Sequence, residues 1–331
     1  MRALAYEKAH TLDAYAIEEM EVAEPKLRDA DLLVGIRAVG VNPGEALIRS
    51  VRSAGAGGRV ILGWEFAGVV LQAGSKAKGF AAGDRVMGTG DLTRDGCWAE
   101  RLAVDHRVVT RIPDQLAFTD AASLPIGSLT AWEAVFRDRG TLPSGVDRVL
   151  VIGGAGGVGS MAIQLLKART DAFVIATASR PETKEWCEVM GADLVVDHSQ
   201  DVAAQLHAAG IDQVDMVFST AGTAGNLSWI AKLLRPFGHL SAVDIAPPFD
   251  ASPIVSKSIS LHTEMVFAKV ISGFDLASQS EILAEIADRV ASGGLRPIVS
   301  TRLDGLTAQN MKTAHEQLES RRTIGKIVIA A

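Results

Sequence analysis

The run Val149-Leu150-Val151-Ile152, followed by Gly153-Gly154-Ala155-Gly156-Gly157-Val158-Gly159, constrains this chain more than any other stretch. An apolar run closed by glycines reads as a buried strand, and residues 160–168 then place apolar side chains at helical spacing. Gly154, Gly156 and Gly159 satisfy G-x-G-x-x-G in the strand-then-helix setting that gives the pattern its meaning. In that setting Gly154 permits the tight turn, Gly156 lets backbone amides approach a pyrophosphate, and Gly159 lets the helix pack closely on the strand. The amides of Ala155, Gly157 and Val158 complete the loop, and the helix N-terminus adds partial positive charge. The loop points to a bound dinucleotide.

The neighbouring sequence continues the theme. Strands are expected at 148–153, 173–178, 194–197, 215–220 and 240–245, with helices at 181–190, 201–209 and 227–234 between them. Such alternation predicts an α/β domain with a doubly wound parallel sheet. Residues 1 to about 120 read instead as mostly β, with apolar segments at 32–41, 60–71 and 101–110 separated by proline and glycine, as in a small barrel. After about residue 265 the alternation stops. Helices at 279–292 and 308–320 and a closing strand at 325–330 predict a tail that returns to the first domain. The expected division is 1–124, 125–266 and 267–331, the last segment completing the first.

Composition removes several chemistries. Cys97 and Cys187 are the only cysteines, so there is no CxxC pair, disulfide framework or four-thiolate zinc site. Tyr6 and Tyr15 are the only tyrosines, and His10 and Glu19 stand four residues on, which excludes a helical Tyr-x-x-x-Lys acid. The seven histidines form no close pair at metal-ligand spacing, and no metal is expected. With 33 Lys and Arg against 39 Asp and Glu, the net charge of −6 offers no basic field for nucleic acid or an anionic membrane surface. No apolar run reaches the roughly 20 residues that span a bilayer, and the N-terminus lacks an apolar leader. A cytoplasmic protein without nucleic-acid or membrane partners is expected.

The tip of the second strand bears on the cofactor. An acid there would hold the ribose 2′-hydroxyl of NAD. This chain instead has Ala178-Ser179-Arg180, and a guanidinium suits a 2′-phosphate that a carboxylate would repel. NADPH is the expected cofactor, with Ser179, Arg180 and Lys184 near its phosphate.

Several blocks match one family in order. They are Val39-Gly40-Val41-Asn42-Pro43-Gly44, Leu62-Gly63-Trp64-Glu65-Phe66-Ala67-Gly68, Gly83-Asp84-Arg85-Val86, Leu124-Pro125-Ile126-Gly127-Ser128-Leu129-Thr130-Ala131-Trp132, the glycine loop, and Ile324-Gly325-Lys326-Ile327-Val328. Along essentially its whole length the chain resembles the medium-chain dehydrogenase/reductase superfamily. Within it the resemblance is to the zinc-free quinone oxidoreductase branch, including zinc-type alcohol dehydrogenase-like proteins that lack zinc ligands. It implies a GroES-like β-barrel catalytic domain interrupted by a Rossmann domain, with the active site in the cleft between them. It also implies a homodimer joined through the last Rossmann strand, near 258–265.

Zinc members of the superfamily use a cysteine where this chain has Asn42 and a histidine where it has Trp64, and neither replacement is an ordinary zinc ligand. By the same resemblance Asn42 falls near the nicotinamide ribose and Thr130 beside the nicotinamide, and these two are the candidate catalytic residues. Thr220, Lys326 and Phe267 fall at cofactor contacts, His198 falls near the adenosine half, and Trp64 with Phe267 lines the substrate pocket. Plainer roles stand beside these: an Asn-Pro turn for Asn42, an early-helix hydroxyl for Thr130, a core side chain for Phe267 and a solvated helix lysine for Lys184. Relatives place a tyrosine shortly after the Asn-Pro block, but here the stretch is Glu45-Ala46-Leu47-Ile48-Arg49, so no proton donor is assigned.

Without a Lewis acid or a Tyr-Lys acid, alcohol and ketone exchange lacks its usual stabiliser. Hydride transfer to a conjugated acceptor asks less, because the charge spreads into an enolate or hydroquinone that a few hydrogen bonds can hold. The expected activity is NADPH-dependent reduction of an apolar quinone or α,β-unsaturated carbonyl. The alternatives are an alcohol dehydrogenase with an unorthodox metal site and a non-catalytic NADPH-binding protein, crystallin-like or regulatory.

Overall fold

The computed structural model describes residues 1–137 and 140–331. The chain forms two compact units, residues 1–126 with 267–331 and residues 127–266. The first segment carries β1 (Arg2–Tyr6), β2 (Glu18–Glu21), β3 (Asp31–Val41), α1 (Pro43–Val51), β4 (Val60–Ile61), β5 (Glu65–Ala73), β6 (Arg85–Thr89), β7 (Arg101–Asp105), β8 (Val109–Arg111) and α2 (Phe118–Ala121). Helix α3 (Pro125–Val135) follows, then β9 (Arg148–Ile152), α4 (Gly157–Arg169), β10 (Phe173–Thr177), α5 (Pro181–Val189), β11 (Leu194–Val196), α6 (Val202–Ala208), β12 (Val214–Ser219), α7 (Thr223–Leu233), β13 (Leu234–Ala242), α8 (Ser252–Val255) and β14 (Ser260–Thr263). The tail adds α9 (Ala268–Ser272), α10 (Ala277–Ala291), β15 (Val299–Asp304), α11 (Ala308–Glu319) and β16 (Lys326–Ala330).

In the first unit, β2, β1 and β4 form a small antiparallel sheet, and a larger sheet runs β15-β16-β3-β5-β6-β8. Strand β3 organises the larger one. It pairs with β5, and it also takes β7 beside its first half, Asp31 to Gly35, and β16 beside its last, Ala38 to Val41. The tail is thereby built into the same sheet as the N-terminal strands, as its departure from the alternating pattern predicts.

Two expected strands are interrupted. The segment 60–71 breaks at Leu62-Gly63-Trp64, where Gly63 takes a φ of 101° and a Cβ would collide with the Trp98 ring. The segment 101–110 breaks at a 3-10 turn, His106–Val108, whose start is capped by the Asp105 carboxylate accepting from Arg107 N. Elements that escaped the sequence reading include α1, α3 and the parallel partner of the closing strand, β15.

The second unit has one six-stranded parallel sheet in the order β11-β10-β9-β12-β13-β14. That is the doubly wound order, in which the chain starts at the centre, winds to one edge and returns to build the other. Leu150, Ile175, Val217 and Leu240 from four strands and Leu206 and Ile230 from two helices are fully buried in its core. Side chains of this size stabilise by about 1.5–3 kcal/mol each when buried. Strand β13 begins at Leu234, ahead of the expected 240–245. Among the described residues no helix is long and apolar enough to cross a membrane.

Candidate functional site

The candidate residues fall into two groups, one in each unit. In the second unit β9 ends at Ile152 and α4 starts at Gly157, with Gly156 as its N-cap residue. The left-handed turn falls on Gly153, with φ 78°, and not on Gly154. Gly154 is needed for packing instead, since a Cβ there would sit 2.8 Å from Ala176 Cβ and 2.9 Å from Cys187 Sγ. A Cβ on Gly159 would collide with the Gly153 carbonyl, the close approach expected of that position. At Gly156 the nearest atom to such a Cβ is Gly153 O at 3.5 Å, so that side of the loop is open.

Two threonines brace the turn. Thr177 Oγ1 accepts from Gly153 N at 3.1 Å, and Thr220 Oγ1 donates to Ile152 O at 2.8 Å. Ser160 Oγ donates to Gly156 O and accepts from Trp186 Nε1, which ties the helix start to α5. The first amides of α4, at Gly157, Val158 and Gly159, have no acceptor within the helix. An open backbone cradle with unpaired amides and a helix dipole behind it fits a pyrophosphate.

At the tip of β10, Ser179 and Arg180 are half-buried, and Arg180 is the N-cap residue of α5, with Thr183 Oγ1 donating to its carbonyl at 2.8 Å. Arg180 Nη1 lies 3.2 Å from the exposed Glu182. Lys184 is engaged, its Nζ 3.0 Å from Asp197 Oδ2. The hydroxyl and amide of Ser199, followed by Lys184, pull the Asp197 carboxyl down to about 2. His198, next in the chain, is exposed. Thr130 is buried on α3.

In the first unit the sheet register assembles a buried polar network. Ile327 pairs with Val41, so Lys326 arrives beside Asn42, and Val39 pairs with Phe66, so Glu65 arrives beside Gly40. A Cβ on Gly40 would collide with the Glu65 carboxylate, so only glycine leaves room for it. Lys326 Nζ lies 2.5 Å from Glu65 Oε2 and also donates to Asn42 Oδ1. Asn42 Nδ2 donates to Glu65 Oε2 at 3.1 Å, and Ile126 N in the first turn of α3 donates to Glu65 Oε1 at 2.8 Å. A second carboxyl, Glu45 on α1, accepts from Asn42 N at 2.7 Å and Trp64 N at 3.0 Å. Burial pushes the Glu45 carboxyl up to about 7, against the pull of those two amides and Lys326. The Trp64 ring meets Phe267 edge to face at 5.9 Å, and its buried Nε1–H has no hydrogen-bond partner among the described residues.

The structure thus brings together Asn42, Trp64, Phe267 and Lys326 in one unit, and the glycine loop with Thr220 in the other. Sequence reasoning assigned no role to Glu65, Glu45 or Thr177. For Glu65 a signal exists: an acid within a buried apolar strand needs a cation or donors.

Residues 28–114 match the alcohol dehydrogenase GroES-like domain family, and residues 190–329 match the zinc-binding dehydrogenase family. With its parallel-sheet unit and GroES-like unit, the chain belongs to the medium-chain dehydrogenase/reductase superfamily of oxidoreductases. It is 33% identical over 336 residues to the zinc-type alcohol dehydrogenase-like protein SAS2087 of Staphylococcus aureus, covering 99% of both chains. To the 2-methylene-furan-3-one reductase of Solanum lycopersicum it is 27% identical, covering 99% of this chain and 79% of that one. Among solved structures, a putative zinc-dependent alcohol dehydrogenase protein from Rhizobium etli CFN 42 matches with a TM-score of 0.95 and 37% identity, over 100% of this chain and 98% of that one. Mycobacterial Rv1454c complexed with NADPH matches with a TM-score of 0.84 and 25% identity over 100% of both chains. The quinone oxidoreductase from Coxiella burnetii matches with a TM-score of 0.81 and 25% identity, over 100% of this chain and 99% of that one.

Zinc in such proteins asks for thiolate, imidazole or carboxylate donors. Here the Asn42 carboxamide oxygen and the Glu65 carboxylate are both taken by Lys326, and the Trp64 indole offers only a donor. The Cys97 thiol bonds to the Glu65 carbonyl, and burial pushes it well above its usual range. These residues do not fit a zinc ion, and among the described residues no group of three His, Cys, Asp or Glu is placed to hold a metal.

Proposed function

We propose that the chain is an NADPH-dependent reductase that delivers hydride to a quinone or an α,β-unsaturated carbonyl without zinc. Its main support is the Asn42, Glu65 and Lys326 network, in which Asn42 stands where zinc members carry a cysteine and which satisfies its own charges. NADPH supplies the hydride. The amides of Ala155, Gly157 and Val158 hold its pyrophosphate, and Arg180 takes the 2′-phosphate that distinguishes it from NADH. Trp64 and Phe267 offer an apolar edge to a planar acceptor. A conjugated acceptor spreads the charge left by hydride addition, so hydrogen-bond donors suffice where an alkoxide would call for a Lewis acid. The tomato reductase, the Coxiella quinone oxidoreductase and the NADPH complex of Rv1454c lend the reading support.

The test is NADPH oxidation by purified protein against quinones, enones, enals and simple ketones, with alcohols tested in the reverse direction. Turnover confined to the conjugated acceptors is expected. Turnover of alcohols and simple ketones alone, or NADPH binding with no oxidation against any acceptor, overturns the proposal.

A further inference from the structure

The Asn42 carboxamide is held at both ends. Its oxygen accepts from the Lys326 ammonium, and one Nδ2 hydrogen goes to Glu65 Oε2 at 3.1 Å. Turning the amide over would set NH2 against an ammonium and oxygen against a carboxylate, so the network selects one orientation. The second Nδ2 hydrogen has no partner among the described residues. Glu45, Glu65 and Lys326 are buried, whereas Asn42 is half-exposed. Asn42 therefore carries the accessible donor of the network, and the ammonium at its oxygen polarises the amide.

We infer that Asn42 is a catalytic residue that donates this N–H to the acceptor oxygen as it becomes anionic, and that Lys326 and Glu65 are positioning residues that hold the amide in its donor orientation. The inference rests on the reductase reading above. In the step, an enone gains hydride at the carbon β to its carbonyl, from the reduced nicotinamide cofactor that is oxidised in exchange. The C=C π pair shifts towards the carbonyl, whose oxygen takes the negative charge and accepts the Asn42 N–H. A proton from water then completes the two-electron reduction. In a quinone the same donor meets the oxygen of the hydroquinone anion.

The test compares wild type, Asn42→Ala, the charge-neutral pair Lys326→Met with Glu65→Gln, and the triple variant. Steady-state turnover of a conjugated acceptor is measured together with NADPH affinity by fluorescence titration and the thermal midpoint. Asn42→Ala is expected to lower kcat about a hundredfold, the loss typical of one oxyanion donor, with NADPH affinity retained. The neutral pair is expected to lower kcat about tenfold or more by freeing the amide, and to add nothing on the Asn42→Ala background. A kcat for Asn42→Ala within about threefold of wild type overturns the inference. So do losses from the pair that multiply independently with the loss from Asn42, because they would show Lys326 and Glu65 acting other than through the amide. If wild type itself turns over no conjugated acceptor, the reductase reading falls, and the inference with it. If wild type is active and Asn42→Ala equally so, only the assignment of Asn42 falls.

Discussion

Arg180 is the side chain on which cofactor choice is proposed to turn. It is the N-cap residue of α5 with its Nη1 3.2 Å from the exposed Glu182, while Lys184 one turn later is tied to Asp197. Replacing Arg180 with alanine should raise the dissociation constant for NADPH about tenfold to a hundredfold, the value of a charge-assisted hydrogen bond, and leave NADH nearly unchanged. Fluorescence titration with both cofactors measures this, and equal losses for the two would contradict the assignment. The place of Arg180 just after the second strand was legible in the sequence because strand tip and loop are local. The partnership of Lys326 with Asn42 was not, since the two lie 284 positions apart and only the register of β16 on β3 brings them together. Glu45 was hidden for another reason. Its carboxyl is satisfied by two backbone amides, and no spacing of side chains announces such a bond.

At the scale of elements, α1 shows how a pattern can mislead. Its start carries the expected signals, with Asn42 as N-cap residue, Pro43 at the first position and Glu45 at the third. Its amphipathicity is inverted, however. Leu47 and Val51 are 64% and 67% exposed, while Glu45 and Arg49 are buried. A reading that puts apolar residues inside misses such a helix. Arg49 is accommodated because Nη2 donates to Glu319 Oε1 at 2.6 Å, Nη1 bonds His315 Nδ1 at 2.8 Å and Nε donates to the His10 carbonyl at 3.3 Å. That cluster pins α11 to α1. An arginine only donates, so His315 accepts through Nδ1 and must stay neutral; burial first, then Arg49 and His10, push it down to about 3. The unfolded chain takes up a proton there near pH 6.5 and the native state does not. Stability contributed by His315 is therefore complete above about pH 6.5 and falls by about 1.4 kcal/mol for each pH unit below it. Glu45, with its carboxyl raised to about 7, gives an opposite slope to both proteins, so denaturant titrations between about pH 7.5 and 5 should show this slope in the difference between wild type and His315→Gln. Equal slopes in the two would contradict the placement of His315.

At the scale of the molecule, the two units differ in how openly the sequence displays them. The parallel-sheet unit is one continuous stretch, and its central strands are uninterrupted apolar runs, so period and alternation suffice to draw it. The other is assembled from two stretches of chain. Its strand β15, Val-Ser-Thr-Arg-Leu-Asp, has no fully buried residue and owes its conformation to pairing with β16. The buried network depends on the same assembly, because β16 must reach β3 before Lys326 can neutralise Glu65. The proposed hydride transfer runs on this network and not on zinc. Zinc content by mass spectrometry, measured with NADPH turnover of a conjugated acceptor before and after exhaustive chelation, tests it most directly. The expected result is zinc far below one atom per chain and an unchanged rate. One zinc per chain, with activity lost on chelation and restored by zinc, would contradict it.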